Sequence, residues 1–185
     1  MSPQEVAIHF KKGVVGVLLT DTIYGLVAKV SDKEAVDKLY WLKDRSNKPG
    51  TIIAYSFDQL VELGIKYRYL APFKNYWPNP LSVIIPLSKR LDYLDLKKGS
   101  LAVRLPKDKR VQSILKLTGP LITTSANLPG EPFARNIKEA KNYFKDKVDF
   151  YIDDGDSKNN QPSTIVRMID DEIDILRDGE FKFKS

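Results

Sequence analysis

Val14-Val15-Gly16-Val17-Leu18-Leu19, followed at once by Thr20-Asp21-Thr22, sets the frame of the chain. A six-residue apolar, β-branched run bounded by turn residues reads as a buried strand rather than a helix. Strands buried on both faces belong to sheets covered by helices. The flanks agree. On the N-terminal side, Ser2-Pro3-Gln4-Glu5 is a capping box with Pro at the first helical position. It opens a helix that buries Val6, Ala7 and Phe10 and stops at Gly13. On the C-terminal side, Ser31 and Glu34 form a second capping box. The spacing predicts a helix from there to about Lys43, with Val36, Leu39 and Tyr40 on one face.

The alternation continues. Thr51–Tyr55 reads as a strand, and Ser56 with Gln59 opens a short helix. Leu81–Pro86 and Leu101–Leu105 read as strands, followed by a helix from Asp108 to about Leu117. Pro120–Thr124 is a further short strand, and a helix follows near Ile137–Lys145. Phe150–Ile152, Thr164–Ile169 and Ile173–Arg177 complete the strands, the last two joined across Asp170-Asp171-Glu172. No linker, repeat or low-complexity tract divides the 185 residues. The expectation is one α/β domain, a twisted mixed sheet flanked by helices.

Composition restricts the chemistry. There are no cysteines and one histidine, His9, so thiol catalysis, disulfides and CxxC metal sites are excluded. His9 sits beside Phe10 with no polar motif around it and reads as a surface or packed residue. Net charge is +6, from 30 Lys+Arg against 24 Asp+Glu, which favours an anionic partner. No apolar run approaches the length of a membrane span. The N-terminus lacks a signal-peptide pattern. A cytoplasmic protein without membrane attachment is expected.

Polar clusters at the ends of the apolar strands are where α/β folds bind ligands. Thr20-Asp21-Thr22-Ile23-Tyr24-Gly25-Leu26 is either a binding loop for a small polar ligand or Mg²⁺, or a turn that satisfies its own backbone. Lys43-Asp44-Arg45-Ser46-Asn47-Lys48 places three cations in six residues, either a solvated loop or a phosphate site. Thr123-Thr124-Ser125-Ala126-Asn127 offers hydrogen bonds to a nucleotide, or caps a loop. Pro162-Ser163-Thr164-Ile165-Val166 ends a polar stretch. Trp77-Pro78-Asn79-Pro80 belongs either to the core or to a site wall. Arg104 and Arg177 lie in apolar strands and each demands an anionic partner. P-loop and GxGxxG motifs are absent.

In this order, from about Gly13 to Gly179, these segments resemble the YrdC family of threonylcarbamoyl-AMP synthases. Residues 20–26 are similar to the family's Thr-acid-Thr-Val-Tyr-Gly-Leu. Lys43 and Arg45 match its Lys-x-Arg, and Lys48 a polar residue downstream. Trp77-Pro78-Asn79-Pro80-Leu81-Ser82 is similar to its Trp-Pro-Gly-Pro-Leu-Thr. Ala102-Val103-Arg104-Leu105-Pro106, Ser125-Ala126-Asn127, Pro162–Val166 and Leu176-Arg177-Asp178-Gly179 match further signatures.

The resemblance implies a YrdC-like single domain and a nucleotidyltransferase that forms threonylcarbamoyl-AMP and pyrophosphate from L-threonine, bicarbonate and ATP. It implies Mg²⁺ carried by ATP and no assigned protein metal ligand. A downstream tRNA threonylcarbamoyl transferase would consume the product, and tRNA or double-stranded RNA is a further implied partner. By position, Thr22, Arg104, Thr123 and Ser163 would hold threonine. Arg45, Lys48, Ser100, Ser125, Asn127 and Arg177 would hold ATP, with Lys43 and Arg45 as the catalytic cations. A carbamate formed on the threonine amine is itself the nucleophile, so neither Cys nor His is required.

The chain departs from the family pattern in several places. Leu19 stands where a Pro is usual, Ile53 where many relatives have His, and Phe133 where Ser is common. Two segments are one residue short, and the longer relatives' C-terminal domain is expected to be absent. Two other readings share the motifs: a non-catalytic RNA-binding domain of the same fold, and a paralogue that adenylates another carbamate or carboxylate. The fused hydrogenase-maturation form is disfavoured, since its zinc-binding segments need cysteines.

Overall fold

The computed structural model describes residues 1–44, 48–157, 160–170 and 172–183. The helices are α1 Pro3–Ala7, α2 Lys33–Leu42, α3 Phe57–Glu62, α4 Lys109–Thr118 and α5 Ile137–Phe144. The strands are β1 Gly16–Leu19, β2 Tyr24–Lys29, β3 Thr51–Ile53, β4 Leu81–Pro86, β5 Ser100–Arg104, β6 Leu121–Ser125, β7 Phe150–Tyr151, β8 Thr164–Ile169 and β9 Glu172–Arg177. All nine join one sheet in the order β7-β1-β2-β6-β3-β5-β4-β8-β9, with parallel and antiparallel pairs mixed. The expected mixed α/β architecture is what forms.

Both faces of the sheet are covered. Val17, Leu26, Ile52, Val103 and Ile122 point to one side and pack with α2, α5 and the aromatic group around Phe73 and Trp77. Leu18, Val27, Ile53 and Leu121 point to the other and pack with Val6, Phe10, Val111, Ile114 and Leu115 from α1 and α4. This is the period-2 alternation of strands buried on two sides. Trp77 belongs to the core: it is buried, donates its indole N–H to Leu81 O at 2.7 Å, and packs against Phe57 and Phe73.

Three local readings change. Tyr24–Lys29 is a strand, so the Thr20–Ile23 turn closes a hairpin with Leu19 opposite Tyr24. Tyr24-Gly25-Leu26-Val27-Ala28 is buried throughout, and a strand apolar on both faces shows no alternation to betray it. The second helix is capped by Asp32, which accepts from Ala35 N at 3.1 Å, and not by Ser31. The first helix ends at Ala7, well before Gly13, although its capping box is present: Ser2 N donates to Glu5 and Glu5 N donates to Ser2 Oγ. His9 is a packed residue, stacked on the Phe150 ring with centroids 5.1 Å apart.

Candidate active site

Strand register gathers the polar motif residues on one face. Gly25 lies opposite Ser125, Thr123 opposite Thr51, and Ile53 opposite Arg104. Residues opposite one another point to the same side of a sheet, so Ser125, Thr123, Thr51 and Arg104 share a surface. They border a cavity of about 210 Å³, completed by Thr22, Ser163 and Arg177 among others. Two glycines keep its floor open. A Cβ on Gly25 would sit 2.5 Å from Thr123 Oγ1, and one on Gly50 would sit 2.7 Å from Thr123 O. The turn at 20–23 satisfies its own backbone and also borders the cavity. Thr20 Oγ1 donates to Ile23 O at 2.8 Å, satisfying the turn, while Thr22 lines the cavity.

Arg104 dominates the electrostatics. Its side chain is 4% exposed and pairs with Asp21, 2% exposed, at 2.9 Å between Nη2 and Oδ1. Its one side-chain hydrogen bond among the described residues is long, from Nη1 to Ser82 Oγ at 3.4 Å. Nε is buried without a hydrogen-bond partner. A buried guanidinium with most of its five donors unspent is costly unless an anion completes it. Burial pushes the Asp21 carboxyl above its ordinary value, and the Arg104 charge pulls it back part of the way.

A polar chain runs from Arg104 to Arg177. Ser82 Oγ and Ser163 Oγ share a hydrogen bond of 2.9 Å. Arg177 donates from Nε and Nη2 to Ser163 O at 3.0 and 2.7 Å, and from Nη2 to Ser163 Oγ at 3.2 Å. Arg177 is not a buried arginine. The residue is exposed on the outermost strand, which is half open to solvent, so its stem costs little to place. Desolvation of the guanidinium, then repulsion from Arg104, holds it below the usual arginine value. Two cations facing one carboxylate leave the cavity with an excess of positive charge.

Lys43 is 2% exposed and is not among the residues that line the cavity. Its ammonium donates to Ser125 O at 2.9 Å, to Asn127 Oδ1 at 2.7 Å and to Asn127 O. Ser125 Oγ donates to the same Asn127 Oδ1 at 2.6 Å. Lys43 therefore holds the Ser125–Asn127 loop through these bonds. Thr123 Oγ1 donates to Leu26 O at 3.0 Å, which leaves its lone pairs for a ligand's N–H or O–H.

Not every residue of the expected set converges. Ser100 opens β5 opposite Pro86, four positions from Arg104 and so roughly 13 Å away along the strand. It does not line the cavity. Lys48 is exposed and does not line the cavity, and Arg45 lies outside the described residues. Phe133 lines the cavity, whereas Ile53 is fully buried in the core under α4. Asp21 and Ser82 also belong to the polar group around Arg104, with no role implied for either by the motifs. Both stand inside those motifs, and the buried arginine's need for a partner is the signal for Asp21.

The Sua5/YciO/YrdC family profile, described as "Telomere recombination", matches residues 9–179. The chain is 32% identical over 161 residues to the threonylcarbamoyl-AMP synthase of Pseudoalteromonas translucida, covering 83% of this chain and 86% of that one. It is 30% identical to the threonylcarbamoyl-AMP synthase of Stutzerimonas stutzeri, covering 88% and 90%. The crystal structure of P. abyssi Sua5 complexed with L-threonine superposes with a TM-score of 0.84 at 27% identity, covering 96% of this chain and 54% of that one. The present chain thus spans about half the length of that protein. E. coli YciO shares the fold, with a TM-score of 0.78 at 24% identity, covering 96% and 88%. The order of motifs, the sheet that assembles them and the profile match over nearly the whole length agree: the chain belongs to the Sua5/YciO/YrdC family.

Proposed function

We propose that this chain is a threonylcarbamoyl-AMP synthase, a transferase of the nucleotidyl class acting on L-threonine, bicarbonate and ATP. The observation that carries the reading is Arg104, buried in a small polar cavity with unspent guanidinium donors. An amino-acid carboxylate supplies the missing anion. Thr22, Thr123 and Ser163 stand around Arg104 with hydroxyls suited to the ammonium and side-chain hydroxyl of threonine. At about 210 Å³ the cavity is below the roughly 300–1,000 Å³ of drug-sized sites. It suits the amino acid, with the nucleotide at its mouth.

The threonine amine adds to CO₂ drawn from bicarbonate and loses a proton to solvent, giving a carbamate. A carbamate oxygen then forms a bond to the α-phosphorus of ATP, while the bond from that phosphorus to the bridging oxygen breaks and pyrophosphate leaves. Positioning and charge neutralisation supply the acceleration. Arg177, Ser125, Arg45 and Lys48 would hold the phosphates and nucleotide. Lys43 and Asn127 keep the Ser125 wall in place.

Mg²⁺ enters this proposal bound to the triphosphate. Among the described residues no three His, Asp or Glu side chains cluster as a metal site would need, and the Asp21 carboxylate pairs with Arg104. The product would pass to a second enzyme that modifies tRNA. No helix among the described residues is long and apolar enough to cross a membrane.

Pyrophosphate release from ATP, with threonine and bicarbonate omitted in turn, tests the reading. Release should fall to background in either omission; release that ignores threonine overturns it. In the same assay Arg45→Ala is expected to abolish turnover with the thermal melt unchanged, and unchanged turnover would remove the cationic loop from the site.

A further inference from the structure

Asp21 raises a question that the synthase reading leaves open. It is almost fully buried, yet it does not line the cavity. Its Oδ1 meets Arg104 Nη2 at 2.9 Å and its Oδ2 accepts a long bond from Lys107 N at 3.4 Å. Asp108 is the other acidic group near enough to influence it. Among the described residues, Arg104 has only the 3.4 Å bond to Ser82 to fix it otherwise. A long guanidinium side chain held by one weak hydrogen bond keeps rotamer freedom that costs affinity when a ligand arrives. Water screens the attraction between two buried groups at that distance little, so it orients the guanidinium while offsetting part of the cost of burying both charges.

We propose that Asp21 is a positioning residue, which holds the Arg104 guanidinium so that its unspent edge receives the carboxylate of the amino-acid substrate, and which touches no substrate itself. The inference rests on the synthase reading. A role as proton acceptor for the amine does not fit, since Asp21 does not line the cavity and its carboxylate pairs with Arg104. A direct contact to a metal on ATP fails for the same reason.

The test uses Asp21→Asn, which keeps the shape and one acceptor oxygen but removes the charge. KM is measured for threonine and for ATP, together with competition by L-threoninamide, which lacks the carboxylate. The threonine KM is expected to rise roughly ten- to hundredfold, with the ATP KM within about twofold and threoninamide competing equally well against both proteins. Asp21→Glu, which keeps the charge, should recover most of the loss. Asp21→Ser, which leaves room for water beside Arg104, carries the same expectation as Asn if the amide variant does not fold. An Asn variant with an unchanged or lower threonine KM overturns the proposal. So does an equal loss for threonine and threoninamide, which would mark general damage to the site. Failure of the wild-type chain to require threonine would instead sink the synthase reading, so the two are separable.

Discussion

Arg104→Ala is expected to reduce threonine-dependent kcat/KM by about 10²–10⁴-fold and to destabilise the fold by about 3–5 kcal/mol. Both effects follow from one geometry. The guanidinium is the buried cation of the cavity, so its removal takes the substrate carboxylate's partner. It also leaves Asp21, 2% exposed, without its counter-charge. Burial already raises the Asp21 carboxyl, and loss of Arg104 removes the largest influence that lowers it. The carboxyl then stays protonated in the folded state to a higher pH than in the unfolded chain. With more protons bound folded than unfolded, stability must fall as pH rises above the ordinary carboxylate range. Denaturant midpoints across that range check the sign. Asp21→Asn/Arg104→Ala should lose the pH dependence and regain stability while remaining inactive. Activity near wild type in Arg104→Ala would remove the arginine from substrate binding.

Gly179→Ala is expected to cost about 1–3 kcal/mol of stability and to raise KM for both threonine and ATP. A Cβ there would sit 2.3 Å from Pro162 O, 2.5 Å from Ser163 C and 2.6 Å from Ser163 O. All three are backbone atoms and cannot swing aside as a side chain would. Gly179 N also donates to Thr164 Oγ1 at 3.1 Å, so the segment that follows β9 cannot simply lift away without losing that bond. The displaced residue is Ser163, whose carbonyl and hydroxyl receive Arg177 and whose hydroxyl meets Ser82. The substitution therefore disturbs both arginines at once. Urea midpoints and the two KM values check it; wild-type values would show that residues 162–163 yield freely.

Much of this was legible in the residues, for physical reasons that differ by element. Apolar runs such as Leu81–Pro86 and Thr164–Ile169 announce strands, and Ser2 and Ser56 announce helix starts because their hydroxyls take up otherwise unpaired N–H groups. Tyr24–Lys29 escaped because polar motif residues flank it and burial on both faces erases its alternation. Candidate residues could be named from motifs, but their convergence depends on a strand order that no local pattern encodes. Ser82 and Ser163 are 81 positions apart and share a hydrogen bond. Ser100 and Arg104 stand four apart on one strand, and only Arg104 reaches the cavity. An extended strand separates near neighbours as surely as a sheet unites distant ones. The apolar setting of Arg104 implies an anionic partner but does not single out Asp21, because the β1–β2 hairpin that brings Asp21 to Arg104 shows no alternation in the residues.

If the cavity around Arg104 holds threonine for attack on ATP, the product is an adenylate of its carbamate. Incubation of the chain with ATP, L-threonine and ¹³C-bicarbonate, followed by mass spectrometry of the adenylate formed, tests it most directly. The account predicts an AMP adduct that carries both the threonine mass and the ¹³C label. An adenylate of unmodified threonine, or no adduct while ATP is consumed, would contradict it.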